Sequence, residues 1–493
     1  MKTLLPLSLI IFMSQAQALA PEFAVTIYSS AAPGSMSVAQ LTSGFATLPG
    51  YALVRDSRAL DLPNGRGEVR FTDVAKLIDP TTVSFVSLSD PQGTRVLEQN
   101  FQFDLVSAAK LRERYVGERV SVEQYLGEQV KTFSGKLMSA ADPVIVLLDS
   151  GEVLTLNRSD NIRFEALPGG LITKPTLVWL IDSKTGGSQQ AQVSYQTQGM
   201  TWWSDYNVIL DETGSGCKMD LSAWVTIVNQ SGLSYPQAKL KLVAGDVNRA
   251  PAAVAPMVKS RMVTMEMQSP ADSFEESQLF EYHLYTLGRP SDLPDNSSKQ
   301  LELFPAAVGV RCKKQLVFTT IEQPNFYYGQ PVQDQGYYAT SPGKTGAYLE
   351  FANRLESGLG IPLPAGRVRV NQASKDGSLE FIGEDLIGHT PRNETLRIKL
   401  GNAFDIAGER KQTDFKVDAA ARFIEESFEI SVRNRKQVSA DVTVREYMYR
   451  WTQWAITSKS QAFVKRDAQT LDFPLTLAAD GEAIVRYTVR YTW

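Results

Sequence analysis

Ala483-Ile484-Val485-Arg486-Tyr487-Thr488-Val489-Arg490-Tyr491-Thr492-Trp493 decides the fold class. Ala483, Val485, Tyr487, Val489, Tyr491 and Trp493 fall on one side of a two-residue period, and Arg486, Thr488, Arg490 and Thr492 on the other. Successive side chains of a strand point to opposite faces, so this alternation describes a half-buried antiparallel strand. Similar runs recur at residues 23–28, 176–181, 191–197, 224–228, 240–243, 298–304, 316–319, 395–400 and 428–432, set apart by Gly, Asn, Asp and Pro turn signals. Helical spacing is confined to residues 105–115, closed by Gly117, and to an ambiguous stretch at 418–426. The chain is therefore expected to be all-β and multidomain, built from sandwich-like antiparallel sheets.

Residues 117–166 read as a compact unit of short strands. These are Arg119-Val120-Ser121-Val122, Gly135-Lys136-Leu137-Met138, residues 143–148 and residues 152–156, the last two joined by the Asp149-Ser150-Gly151 turn. A short helix plus a small SH3- or Sm-like β-barrel is expected over 105–168, acting as a spacer because it carries no basic cluster. An N-terminal β domain over 19–104 and sandwich-like modules over 169–493 complete the organisation. Two inserts interrupt the latter. Residues 250–273 are rich in Ala, Pro, Ser and Met, and residues 323–346 carry Phe326, Tyr327, Tyr328, Tyr337 and Tyr338 as a candidate binding loop.

Lys2, the apolar stretch 4–13 and Ala16-Gln17-Ala18 have the layout of a cleavable signal peptide over residues 1–18. A periplasmic or secreted protein is expected. In such an oxidising space Cys217 and Cys312, the two cysteines of the chain, are expected to form a disulfide. Lys and Arg are scattered and the net charge is −4, which argues against a nucleic-acid partner. Beyond the signal no apolar run is long enough for a membrane-spanning helix. The terminal aromatic strand keeps an outer-membrane β-barrel as a lesser alternative.

Candidate chemistry is thin. The chain has two histidines, His283 in a strand-like alternation and His389 near Glu384 and Asp385, a trio whose donor types suit a divalent metal but whose spacing supplies no further ligand. Ser107 to Lys110, Ser159-Asp160-Asn161 and Lys184-Thr185-Gly186 match short serine-lysine enzyme strings, as chance allows in 493 residues. Met257, Met262, Met265 and Met267 have the softness for copper(I), in a context that reads as plain disorder. No cofactor is expected.

Several blocks carry a family resemblance: Gly199-Met200-Thr201-Trp202 with Asp205-Tyr206, Asn229-Gln230-Ser231-Gly232, Ser297-Ser298-Lys299-Gln300, residues 358–366, residues 383–391, Gly401-Asn402-Ala403-Phe404-Asp405, and Glu409-Arg410-Lys411-Gln412-Thr413-Asp414-Phe415. Over roughly residues 171–493 the chain resembles the bacterial domain-of-unknown-function family some of whose members are labelled mucoidy inhibitor A. Those members carry a coiled coil ahead of the shared region, where this chain has its small β unit. The resemblance implies an exported, β-rich protein of no established activity, linked by that label to exopolysaccharide production. Within the shared blocks Gly366 and Gly401 read as turn glycines. Glu384, Asp385, His389, Asp405, Glu409, Arg410 and Lys411 are the polar positions where a site should lie. The expected role is non-catalytic binding or scaffolding in the envelope, with another envelope protein or a polysaccharide as partner. A metal-assisted or carboxylate-based hydrolase of envelope polysaccharide is the alternative.

Overall fold

The computed structural model describes residues 22–28, 34, 36, 48–126, 129–156, 161–211, 216–245, 247–248, 274–321, 329–374 and 376–493. The signal-peptide reading over 1–18, the 250–273 insert with its methionines, and Phe326, Tyr327 and Tyr328 lie outside these residues. Strands dominate. The described residues contain one α-helix, Ala108–Arg114, and the architecture is a set of packed, mainly antiparallel sheets with no closed barrel.

The first layer is an eight-stranded sheet in the order Phe274–Leu279, Tyr282–Leu287, Tyr235–Ala244, Glu22–Tyr28, Tyr51–Leu62, Gly187–Thr197 and Ile78–Ser87, with Ser291–Leu293 also on Tyr235–Ala244. Glu22–Tyr28 runs parallel to Tyr235–Ala244 and antiparallel to Tyr51–Leu62. The region expected as 19–104 thus shares one sheet with strands well beyond it. Against this sheet lies a three-stranded one, Gly65–Thr72, Thr176–Ser183 and Thr94–Gln102. Trp179 joins the two layers, its ring 5.4 Å from Phe71 and 5.3 Å from Phe85 of the larger sheet. Its indole N–H is satisfied by Gln99 Oε1 at 2.9 Å, as a buried tryptophan requires.

Thr94–Gln102 and Thr176–Ser183 are direct neighbours, with Gln102 opposite Thr176, so the small unit between them hangs from the tip of a hairpin. Ser107 caps its helix by accepting from the Lys110 N–H at 3.1 Å. Tyr115 clamps the far end, its hydroxyl donating to Ala166 O at 2.6 Å and accepting from Ala166 N at 2.9 Å. The sheet order is Asn161–Phe164, Arg119–Leu126, Gln129–Ser139, Ile145–Leu148 and Val153–Thr155. The expected small barrel is therefore an open five-stranded sheet. Its outer strands are three and four residues long and do not pair with each other among the described residues. Val120, Val122, Leu137 and Val146 give it a core of its own.

A ten-stranded sheet forms the middle of the molecule, and Ser297–Thr319, 23 residues long, is its axis. The first half of this strand pairs with Cys217–Asn229, the second with Lys344–Ala352 and, in parallel, with Ala440–Tyr447. Cys217 and Cys312 stand directly opposite in the ladder and are joined by the disulfide, Cα to Cα 5.0 Å. On the other side of Cys217–Asn229 come Met200–Asp211, Gly366–Ala373 and Leu379–Ile387. The sheet curls until Leu379–Ile387 lies beside Thr395–Asn402. There the Asp385 carboxylate takes the Lys399 N–H at 2.7 Å, and a Cβ on Gly383 would run into the Leu400 carbonyl. Gly366 and Gly401, expected in turns, both lie within strands. A Cβ on Gly366 would meet Ser204 O at 2.5 Å, so close backbone approach is what keeps that position small.

The C-terminal module sets Ala440–Tyr447 and Thr470–Leu477 of the long sheet against a five-stranded sheet, Thr340–Pro342, Ile406–Asp418, Phe423–Asn434, Glu482–Thr492 and Trp454–Lys459. Phe428, Ile430, Phe473, Val485, Tyr487 and Val489 belong to the core between them. Glu482–Thr492 buries Val485, Tyr487, Val489 and Tyr491 as its alternation predicts. Arg486 and Arg490 face outward onto Glu429 and Glu425, each pair at 2.7 Å.

Candidate functional site

Three neighbouring strands of the C-terminal module place charge where their period calls for an apolar group. Ile406–Asp418 turns Ile406, Gly408 and Arg410 inward. Phe423–Asn434 turns in Ile424, Glu426, Phe428, Ile430 and Val432, and Ala440–Tyr447 turns in Val442, Val444 and Glu446. Arg450 follows the last strand. Arg410, Glu446, Arg450 and Glu426 are 1%, 2%, 0% and 0% exposed.

Ions so buried require partners, and these have them. Arg410 Nε donates to Glu446 Oε2 at 2.8 Å, and Tyr487 Oη donates to the same oxygen at 2.6 Å. Arg450 Nε donates to Glu426 Oε2 at 2.7 Å, joined there by Gln412 Nε2 at 3.1 Å. Each guanidinium also lies over an aromatic face, Arg410 at 3.5 Å from the Phe428 ring centre and Arg450 at 4.7 Å from that of Phe415.

Arg410 Nη2 donates to Tyr449 Oη at 3.4 Å, and the other N–H groups point to one loop. Arg450 Nη1 donates to Val332 O at 2.9 Å and Asp334 O at 2.7 Å, and Nη2 to Tyr337 O at 3.2 Å. Arg410 Nη1 donates to Tyr338 O. Tyr338 holds φ at 52°, a left-handed conformation that a bulky side chain rarely adopts. The rings of Tyr337 and Tyr338 lie 4.6 Å apart and pack on Tyr449 at 5.8 and 5.2 Å. Two buried arginines thereby fasten a tyrosine pair to the edge of the sandwich.

Burial raises the Glu426 carboxyl, whose Oε1 has no hydrogen-bond partner among the described residues, while Arg450 and Arg410 pull it the other way. Burial works against the Arg410 cation too, yet Glu446 holds it well above its ordinary value. Tyr449 is pushed up to about 12 by burial, against Arg410. All four charges are engaged in holding structure.

The structure scatters the other polar positions. Glu409 and Lys411 flank Arg410 on the opposite face of their strand, Glu409 pairing with Arg433 at 3.0 Å, and Asp405 is exposed. Glu384 lies 3.5 Å from Arg369, Asp385 is tied to the Leu386 and Lys399 main-chain N–H groups, and His389 Nδ1 accepts from Ala365 N at 3.1 Å. Those three residues are thus committed to separate contacts. Among the described residues no group of three or more His, Cys, Asp or Glu is arranged to hold a metal. His283 pairs with Glu276 at 2.7 Å. Sequence reasoning missed Glu426, Glu446, Tyr449 and Arg450. The signal that finds the two glutamates is a charge in the inward phase of an otherwise apolar strand.

No family model matches the chain, and no curated protein matches it in sequence.

Proposed function

We propose that this is an exported, non-catalytic binding or scaffold protein of the envelope, related to the family that includes the mucoidy inhibitor A proteins, and that polysaccharide docks on the Tyr337–Tyr338 pair. The observation that carries this reading is that Arg410 and Arg450 direct four hydrogen bonds from the core onto main-chain carbonyls of residues 332–338. Buried ion pairs are often no more stabilising than apolar residues of the same size, so their use here is better explained by what they position. They fix a loop that presents aromatic rings, and a ring already fixed loses little entropy when it stacks on a sugar face or a partner.

The test is co-sedimentation of the full oxidised chain with purified envelope polysaccharide, with an assay of new reducing ends on the same samples. Retention without new reducing ends is the expected result, and Tyr337→Ala with Tyr338→Ala should abolish retention. Release of reducing ends by the unaltered protein would instead make it a hydrolase.

A further inference from the structure

The eight-stranded sheet buries Val25, Val54, Val193 and Leu240 on one face and turns polar side chains out on the other. A cleft of about 430 Å³ lies on that outer face, within the size range of small-molecule sites. Two cross-strand rows build it. Lys239, Ala24 and Arg55 stand side by side in one row, and Glu22, Ser57 and Gln192 in the next. The small side chains of Ala24 and Ser57 leave the floor low, while Lys239 and Arg55 rise on either side of Ala24, two strand spacings or roughly 10 Å apart. Gln190 and Leu88 extend the lining. Its charges are unequal. Lys239 is paired with Glu22, the one carboxylate among the described lining residues. Arg58 turns its guanidinium to the buried Asp56, Nε to Oδ1 at 3.0 Å, and over the Phe71 ring. Arg55 is exposed, its ladder neighbours are Ala24 and Ser194, and its guanidinium has no hydrogen-bond or ion-pair partner among the described residues.

We propose that this cleft binds a polyhydroxylated carboxylate of monosaccharide size, its carboxylate on the Arg55 guanidinium and its hydroxyls among Ser57, Gln190, Gln192 and the Glu22–Lys239 pair. A guanidinium presents planar paired donors that match the two oxygens of a carboxylate, and one such group neutralises the single positive charge left over in the lining. Hydroxyls donate and accept, and so do the groups around them: amides do both, Lys239 donates and Glu22 accepts. Gln192 Nε2 reaches Ser57 Oγ only at 3.4 Å, a contact that a ligand hydroxyl improves on. Ala24 and Leu88 are the apolar side chains of the lining, too few to hold a hydrocarbon chain. The cleft shares no residue with the tyrosine pair, and the inference stands whether or not that pair binds polysaccharide.

The test is calorimetric titration of the full oxidised chain with gluconate, with sorbitol, which keeps the hydroxyls and lacks the carboxylate, and with propanoate, which keeps the carboxylate and lacks the hydroxyls. Gluconate is expected to bind at least tenfold more tightly than either, about 1.4 kcal/mol. Arg55→Gln should remove the preference over sorbitol at an unchanged melting temperature, since Arg55 is exposed and holds no partner in the fold. Ala24→Leu, which raises the floor of the cleft from its outer face, should weaken gluconate at least tenfold. Methyl glucuronide separates two sources of the same chemistry: binding as tight as gluconate marks the end unit of a glycan as the ligand, and weaker binding marks the free acid. No binding of gluconate, equal binding of sorbitol or propanoate, or a gluconate preference that survives Arg55→Gln would each overturn the proposal.

Discussion

Arg450 is bound at once to Glu426, to the Val332, Asp334 and Tyr337 carbonyls and to the face of Phe415. Arg450→Met would strand the Glu426 carboxylate in the core and leave three carbonyls without their donor. A loss of about 3–5 kcal/mol is expected from urea unfolding. Replacing both partners, Glu426→Leu with Arg450→Met, removes the stranded charge, so the double variant should lose clearly less than the two single losses added together. Additive losses would show that the pair is not coupled. At this scale the sequence was half legible. Arg410, Tyr337 and Tyr338 could be singled out from it, but as two unrelated features, because nothing in their spacing reveals that Arg410 reaches the Tyr338 carbonyl. Glu426 and Glu446 escaped because a charge within an alternating strand is read by habit as part of the wet face.

Strands were legible wherever one face is apolar and the other polar, as in Glu482–Thr492 and Gly187–Thr197. The axial strand was not. Its sequence reads as two separate runs, 298–304 and 316–319, and the structure carries the strand through the residues between them with register shifts opposite Leu221 and with Gly309 at φ 70°. The ambiguous stretch at 418–426 is strand, turn and strand, with Arg422 at φ 53° in the turn. The disulfide fastens the axial strand to its neighbour, 95 residues away in sequence. Chain entropy gives such a link about 4–5 kcal/mol, so Cys217→Ser with Cys312→Ser should lower the unfolding free energy by up to that amount. An unchanged urea midpoint would show that the ladder alone holds the two strands together.

For the molecule as a whole, the small unit should be removable. Gln102 and Thr176 are already opposite each other, so deleting residues 104–174 and closing the strands with a two-residue glycine-rich turn restores a simple hairpin. The remainder is expected to keep its disulfide and to melt within a few degrees of the parent, since the unit has its own core. Failure of the shortened chain to fold would mean that the unit braces the sheets. Alkali should be the weak side of the fold. Burial pushes Tyr235 and Tyr449 up to about 12, against 10 for a free tyrosine, and raises Tyr206 and Tyr285 as well. Below pH 10 these phenols are protonated in both states and their contribution is complete. As pH rises toward 12 the unfolded chain ionises first and the contribution is lost, each phenol giving up about 1.4 kcal/mol for every tenfold by which folding tightens its hold on the proton. Urea midpoints should hold up to about pH 9 and fall by about pH 11, with the tyrosinate absorbance of these four buried phenols appearing only on unfolding.

The parallel pairing of Glu22–Tyr28 with Tyr235–Ala244 also sets a timetable. A chain made from its amino end delivers the first strand early and that partner only near its midpoint. Until then Glu22–Tyr28 can form its antiparallel ladder with Tyr51–Leu62 but must keep its other edge open. For that interval the newborn chain offers a bare strand to any neighbour, and something must keep the two apart.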